Sequence, residues 1–339
     1  MKESYLGIDF HKKWCVFAEI DSTGKLLRQG RFGNTFEEVS TFASSLTQRV
    51  QVVLEPVLSY LWLLDQLKPY AGSVHVATPH KVRVIAESKS KTDRYDARML
   101  AELLRTNFLP ESWVPPAEIR LLRGLVRQRY HLVKSVIMNK NPIRYLLFQH
   151  GVDLKVFNIA SPKARLMIQE LCLPEITRQT IEECLQVIAL LNGLVAEVDQ
   201  RISRCVEGNP IVVLLQTIPG IGTLRSAVIY AEVGDIARFY SAKALASYTG
   251  LTPTVRSSGE SVWRGGITHL GSRPLRHARV EAAIDVIRKS PALRRMYCRI
   301  LYRSNVQKTR VAIARKLSVI STPCSITMSR FGLRPSKLE

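Results

Sequence analysis

Four carboxylates in the first third of the chain have the types and spacing to hold a metal ion: Asp9 in GIDFHK, Glu55 in VVLEP, and Asp93 with Asp96 in KTDRYDARMLAELL. The first two sit in or at the end of apolar, β-branched runs, where an acid without a partner is costly to bury. The other two lie three residues apart at the start of a helical pattern, so both can face the same point. Four oxygen ligands delivered by two strands and a helix suit Mg²⁺, and a pair of such ions suits phosphoryl chemistry on nucleic acid. Each acid alone has a plainer explanation: Asp93 as a helix N-cap, Asp96 as a surface ion-pair partner, Glu55 as a solvent-facing strand end. Their joint occurrence in one order of elements favours the metal site.

The elements that must position these acids follow from the pattern. Residues 4–10, 14–20 and 25–32 read as strands joined by short turns; a helix near 36–47, a strand at 50–55, a helix near 58–68, a strand at 73–77 and helices near 80–87 and 93–106 follow. An antiparallel meander leading into βαβ units gives a mixed sheet flanked by helices, with Asp9 on the first strand and Glu55 at the end of the fourth. This α/β domain is assigned to residues 1–110, and PESWVPP (110–116) reads as a linker. Residues 111–208 form a helical middle region. Its first helix, about 117–149, carries Leu122, Leu125, Leu132 and Val136 on one face; its second carries Cys184, Ile188, Leu191, Val195, Val198, Ile202 and Cys205 at heptad spacing. Two arrangements satisfy this pattern, an antiparallel pair within one molecule or a dimerisation stalk. Pro142 predicts a kink or break in the first helix.

Residues 209–322 form a third, mainly helical region, followed by a divergent tail over 323–339. PIVVLLQTIPGIGTLRSAVIYAEVG reads as a helix-hairpin-helix in which Gly220 and Gly222 let backbone N–H groups approach a phosphate; an ordinary helical hairpin would use the same turn chemistry. The stretch 250–283 reads as an irregular loop and then a helix from about residue 273. Ser257 and Ser258 lie near Arg256 and Arg264, which can clamp a phosphate and neutralise charge developing on it. A serine hydroxyl is a weak nucleophile without such help. Arg273, Arg276 and Arg279, with Arg294, Arg295 and Arg299, are expected to follow phosphates. The formal charge is +21, and residues 241–320 hold 16 Lys and Arg against 3 Asp and Glu. That excess points to a polyanion partner, and 46% apolar residues are enough for folded cores. With no long apolar span or signal peptide visible, nucleic acid is favoured over a membrane surface. The six cysteines form no CxxC pair and fit a reducing cytosol.

Taken in order, GIDFHK, LEP, KTDRYDARMLAELL, IPGIG, RFYSAKALASYTGLTP, SSGES and HLGSRPLR resemble the DEDD-type insertion-sequence transposases, a family that includes pilin-gene-inverting recombinases. The resemblance covers residues 4–318. It implies an RNase H-like (RuvC-like) N-terminal domain, a coiled-coil middle and a C-terminal transposase domain. It also implies that Asp9, Glu55, Asp93 and Asp96 are Mg²⁺ ligands and Ser258 the nucleophile, with Ser257 the alternative if the register slips by one. The implied partners are donor and target DNA, a structured non-coding guide RNA, and further copies of the chain, as dimers assembling into tetramers with active sites completed between subunits. The implied location is the bacterial cytoplasm, associated with the nucleoid. The competing reading is a metal-dependent endonuclease of Holliday-junction type, in which water attacks and Ser258 is structural. The segment after Ile320 does not continue the amphipathic helix expected after ARKL, which suggests a truncated or frameshifted end.

Overall fold

Alternation along β1 (Ser4–Phe10) decides what each face of the first sheet does. Leu6, Ile8 and Phe10 enter one apolar core, so Gly7 and Asp9 turn to the opposite face. The computed structural model describes residues 3–56, 60–85, 92–154, 158–258, 261–269 and 271–327; of these, the side chains of His80, Arg256, Arg264 and residues from 320 on are left out. Two compact units result, one ending at Val114 and one beginning at Pro115. The boundary expected near residue 208 falls inside the second.

The first unit is a five-stranded sheet in the order β3-β2-β1-β4-β5. Strands β2 (Trp14–Asp21) and β3 (Leu26–Gly33) form an antiparallel meander with β1, whereas β4 (Val50–Leu54) and β5 (Ser73–Val76) run parallel to it. Helices α1 (Phe36–Ser44) and α2 (Tyr60–Leu67) cover one face through Val39, Phe42, Leu63 and Leu67. After α3 (Pro79–Ile85), helix α4 (Asp93–Arg105) covers the other, burying Ala97, Leu100, Ala101 and Leu104. Helix and sheet meet very closely at Gly7. A Cβ there would stand 2.0 Å from the Ala97 carbonyl oxygen and 2.7 Å from the Ala101 nitrogen. Overpacking against fixed backbone typically costs about 1–3 kcal/mol. Gly7→Ala is therefore expected to lower unfolding free energy by about 2 kcal/mol or more, read as a reduced midpoint in urea.

In the second unit, α5 (Ala117–Gln149) and α7 (Glu175–Cys205) pack antiparallel within the chain, with α6 (Pro162–Gln169) between them in sequence. Leu122 and Val126 share a cluster with Val198 and Ile202, while Val136, Ile143 and Leu147 share another with Ile181, Leu185 and Ile188. Pro142 does not end α5: Ile143 and Leu147 beyond it are anchored on α7, so tertiary burial carries the helix past one missing donor. The seam also shifts at its ends, since Ile181 and Leu185 are buried and Cys205 is exposed. Next come α8 (Pro210–Gln216), α9 (Thr223–Val233), a 3₁₀ turn (Ile236–Arg238) and α10 (Ala242–Tyr248). Glu232 of α9 is fully buried and accepts two hydrogen bonds from Arg127 of α5, at 2.9 and 3.1 Å.

The stretch expected to be an irregular loop instead holds an antiparallel pair of strands, β6 (Pro253–Ser258) and β7 (Ser261–Ile267), with Val255 on one and Val262 on the other. Helices α11 (Arg273–Lys289), α12 (Pro291–Leu301) and α13 (Val306–Thr327) complete the unit around Leu215, Leu245, Leu275, Ala282, Ile313 and Leu317. Helical backbone continues past Ile320 to Thr327, with Pro323 inside it; residues 328–339 of the tail lie outside the described residues. No helix among the described residues is long and apolar enough to cross a membrane.

Candidate metal centre and nucleic-acid interface

The alternation that turns Gly7 toward α4 turns Asp9 the same way. On β4, Val52 and Leu54 point into the first core, and Val53 points to the α4 side, so Glu55 follows Val53. Ile8 and Leu54 are partners in the parallel ladder, and the Glu55 N–H donates to the Ile8 carbonyl at 3.3 Å. Asp9 and Glu55 are thus neighbours one step further along. On α4 the buried stripe through Ala97, Leu100 and Leu104 extends back by helical spacing to Asp93 and Asp96. The N-cap is Thr92, whose hydroxyl accepts from the Tyr95 N–H, rather than Asp93. The Asp93 carboxylate is thereby left to meet the sheet.

The meeting point includes a residue that the sequence reading passed over. His11 Nε2 lies 3.1 Å from Asp9 Oδ2 and 3.2 Å from Asp93 Oδ2. One donor atom from each of these three residues lies within 4.8 Å of the others. Burial holds the Asp9 carboxyl above its ordinary value; His11 pulls it back, and the charges of Glu55, Asp93 and Asp96 raise it again. The charges of the other three acids thus reach Asp9, while among the described residues donor atoms within 4.8 Å of one another come from Asp9, His11 and Asp93 and not from Glu55 or Asp96. Asp9 is only 8% exposed, and Asp93 sits at the open side. Because the native carboxyl value is raised, the folded state holds this proton more tightly than the unfolded chain. The Asp9 charge accordingly costs stability as pH rises through that value, and a cation among the acids would offset the cost. Oxygen donors around one partly buried point, with an imidazole beside them, fit a divalent ion. Beside them a cleft of about 780 Å³ is lined by Trp14, Arg31, Asp93 and Arg94.

The second unit holds the other expected site residues. Ser258 is exposed at the end of β6 and pairs with Ser261; Ser257 pairs with Val262. Neighbours on a strand project to opposite faces, so the two serines are not interchangeable. Arg256 and Arg264 belong to β6 and β7, but their side chains lie outside the described residues. Gly220 has φ +85°, its carbonyl accepts from Arg225, and a Cβ would come within 2.7 Å of Asp285. It closes the turn between α8 and α9 against α11. Gly222 caps α9 without a side-chain partner, and nothing lies within 4 Å of where its Cβ would be. It leaves the helix N-terminus open to an anion.

Arg273 is exposed, and Arg276 is half-buried with a hydrogen bond to the Thr249 carbonyl. Arg279 must be corrected: it is 1% exposed, and its Nε and Nη1 have no hydrogen-bond partner among the described residues. Burial lowers its pKa to about 10. It falls on the stripe of Leu275, Ala282 and Val286 that faces the core, so it cannot follow a phosphate backbone. The helical spacing from Leu275 to Arg279 and on to Ala282 and Val286 is the signal that sets it apart from the exposed Arg273.

Residues 6–151 match the family model of the IS110 DEDD transposases, described as "Transposase", and residues 212–298 match the "Transposase IS116/IS110/IS902 family". The y4qE protein of Sinorhizobium fredii is 30% identical over 57% of this chain and 47% of its own length, so the chain spans about half of that relative. The transposase for insertion sequence element IS1111A of Coxiella burnetii is 27% identical over 84% of this chain and 78% of its own. The pilin gene-inverting protein of Moraxella lacunata is 27% identical over 95% of both chains.

Proposed function

We propose that the chain recombines DNA through a serine nucleophile and a divalent-metal acid set, a reading supported by its matches, in order, to two family models of IS110-type transposases and by its likeness to a transposase and a pilin gene-inverting protein. The convergence of Asp9, Asp93 and the charges of Glu55 and Asp96 on one sheet face carries this reading. These four carboxylates would hold Mg²⁺. When bound, such an ion supplies Lewis-acid polarisation of a phosphoryl oxygen. Ser258 Oγ attacks the scissile phosphorus, a phosphoserine bond forms, and the bond to the 3′ oxygen breaks. In net terms the serine proton ends on the freed 3′-hydroxyl. The phosphodiester energy stays in the covalent link, so reversal with a new 3′-hydroxyl rejoins strands without ATP. Incubating the protein with DNA and resolving the products under denaturing conditions tests this reading. A protein–DNA adduct supports it, and clean hydrolysis without an adduct supports the junction-type endonuclease.

The exposed arginines of α11 and α12 would neutralise phosphates of donor and target DNA, with the open end of α9 contributing backbone N–H groups. The motif order that resembles guided recombinases supports a non-coding RNA as a second polyanion partner and assembly of several copies of the chain; RNA retained through purification checks the first. Binding to duplex DNA is expected to weaken steeply with salt. Arg273→Ala should reduce the slope of log K against log salt by about one, whereas Arg279→Ala should leave the slope unchanged and lower stability, both read by fluorescence anisotropy and denaturation.

Metal binding should also register without any reaction. A ligand that binds only the folded state at 100 times its Kd stabilises by about 2.7 kcal/mol. Saturating divalent cation is expected to raise the melting temperature of the first unit's transition in the full chain, and Asp9→Asn should abolish that rise in calorimetry.

A further inference from the structure

The four carboxylates are not alone at their meeting point. A single nitrogen, His11 Nε2, faces Asp9 Oδ2 at 3.1 Å and Asp93 Oδ2 at 3.2 Å. Nε2 carries at most one hydrogen and cannot direct it well at two carboxylates at once. A metal ion, by contrast, attracts all three donors together. Ligands in adjacent positions on an octahedral ion with bonds of about 2.1 Å lie about 3 Å apart, which is the spacing that His11 keeps from each acid.

The imidazole is held there by its backbone. The His11 N–H donates to the Trp14 carbonyl at 2.9 Å, closing the turn between β1 and β2. The Asn34 side-chain amide donates to the His11 carbonyl at 2.6 Å, and the Asn34 N–H donates to the Lys13 carbonyl at 3.0 Å. Asn34 follows β3, so the third strand braces the turn that presents the ring. A surface histidine with no task would not need bracing from two strands, nor would it sit between two acids separated by more than eighty residues of chain.

We propose that His11 is a nitrogen ligand of the metal centre and biases it from Mg²⁺ toward a divalent transition metal such as Mn²⁺. This rests on the acid set being a metal site. Oxygen donors serve Mg²⁺ and Mn²⁺ alike, but imidazole adds affinity for first-row transition ions and little for Mg²⁺. The sequence signal is the histidine two residues after Asp9 in GIDFHK, at the position where the strand turns back.

The test uses the full-length chain stripped of metal and titrated with Mn²⁺, followed by electron paramagnetic resonance with pulsed detection of nitrogen coupling, and by displacement with Mg²⁺. The wild type is expected to show coupling from one imidazole nitrogen. His11→Ala should lose that coupling and weaken Mn²⁺ binding by about tenfold, with Mg²⁺ affinity changed by less than about threefold. Absence of nitrogen coupling in the wild type overturns the proposal without needing any variant. Equal losses for both ions in His11→Ala overturn the selectivity. Undiminished Mn²⁺ binding in Asp9→Asn overturns the acid-set reading itself, an outcome distinguishable from failure of His11 alone.

Discussion

Asp9→Asn is expected to lower strand cleavage by about 1,000-fold or more while leaving DNA binding within about twofold, measured as cleavage rate on a labelled element end and by anisotropy. Removing one preorganised group that stabilises transition-state charge commonly costs 10²–10³ in rate, roughly 3–4 kcal/mol. Asp9 is the most buried of the four acids and the one on which the other charges act, so its loss should weaken the hold on any ion more than loss of half-exposed Asp93. The metal-free variant should be no less stable than wild type, because a carboxyl held above its ordinary value by burial and like charges is a source of strain that an amide lacks. Glu19→Gln makes the matching control. Glu19 is also a buried acid of the same sheet, but Ser4 donates to it at 2.6 Å and Arg28 at 2.5 Å. That change should reduce stability and leave cation affinity alone. Equal cleavage defects in the two variants would mean that Asp9 is only a fold residue.

Ser258→Ala should remove the denaturation-resistant adduct and reduce cleavage by about 10⁴-fold or more, the scale on which loss of a nucleophile falls in enzymes with covalent intermediates. Ser257→Ala should keep the adduct. The distinction is sharp because the two residues are consecutive on β6 and their side chains leave opposite faces of the hairpin. An adduct that persists in Ser258→Ala and disappears in Ser257→Ala would move the nucleophile by one residue. Persistence in both would remove the serine mechanism and favour attack by water.

The N-terminal sheet could be read from the chain because its strands are short and separated by turn signals, with apolar runs in β1, β2 and β4. Asp9 and Glu55 were placed correctly on β1 and at the end of β4 for the same reason. Asp93 and Asp96 were visible through helical spacing. What escaped was whatever depended on tertiary company. His11 looks like turn punctuation until α4 brings Asp93 to it. Thr92 outcompetes Asp93 as the helix cap because its hydroxyl reaches the Tyr95 N–H, and that choice is local but not compositional. Pro142 is a helix breaker in isolation, yet Ile143 and Leu147 are held on α7 beyond it. Arg279 read as surface charge because its type outweighed its position on the buried stripe. The β6–β7 hairpin was hidden by its glycine and serine content, although Val255 and Val262 stand on its two strands.

The close seating of α4 at Gly7 also imposes an order in time. A ribosome that has released only the five strands has exposed Asp9, His11 and Glu55, and the remaining two acids arrive with a helix that begins at Asp93. Until that helix settles on its glycine, a nascent chain owns half of the proposed acid set. Synthesis itself thus delays assembly of the acid cluster until the first unit is nearly complete.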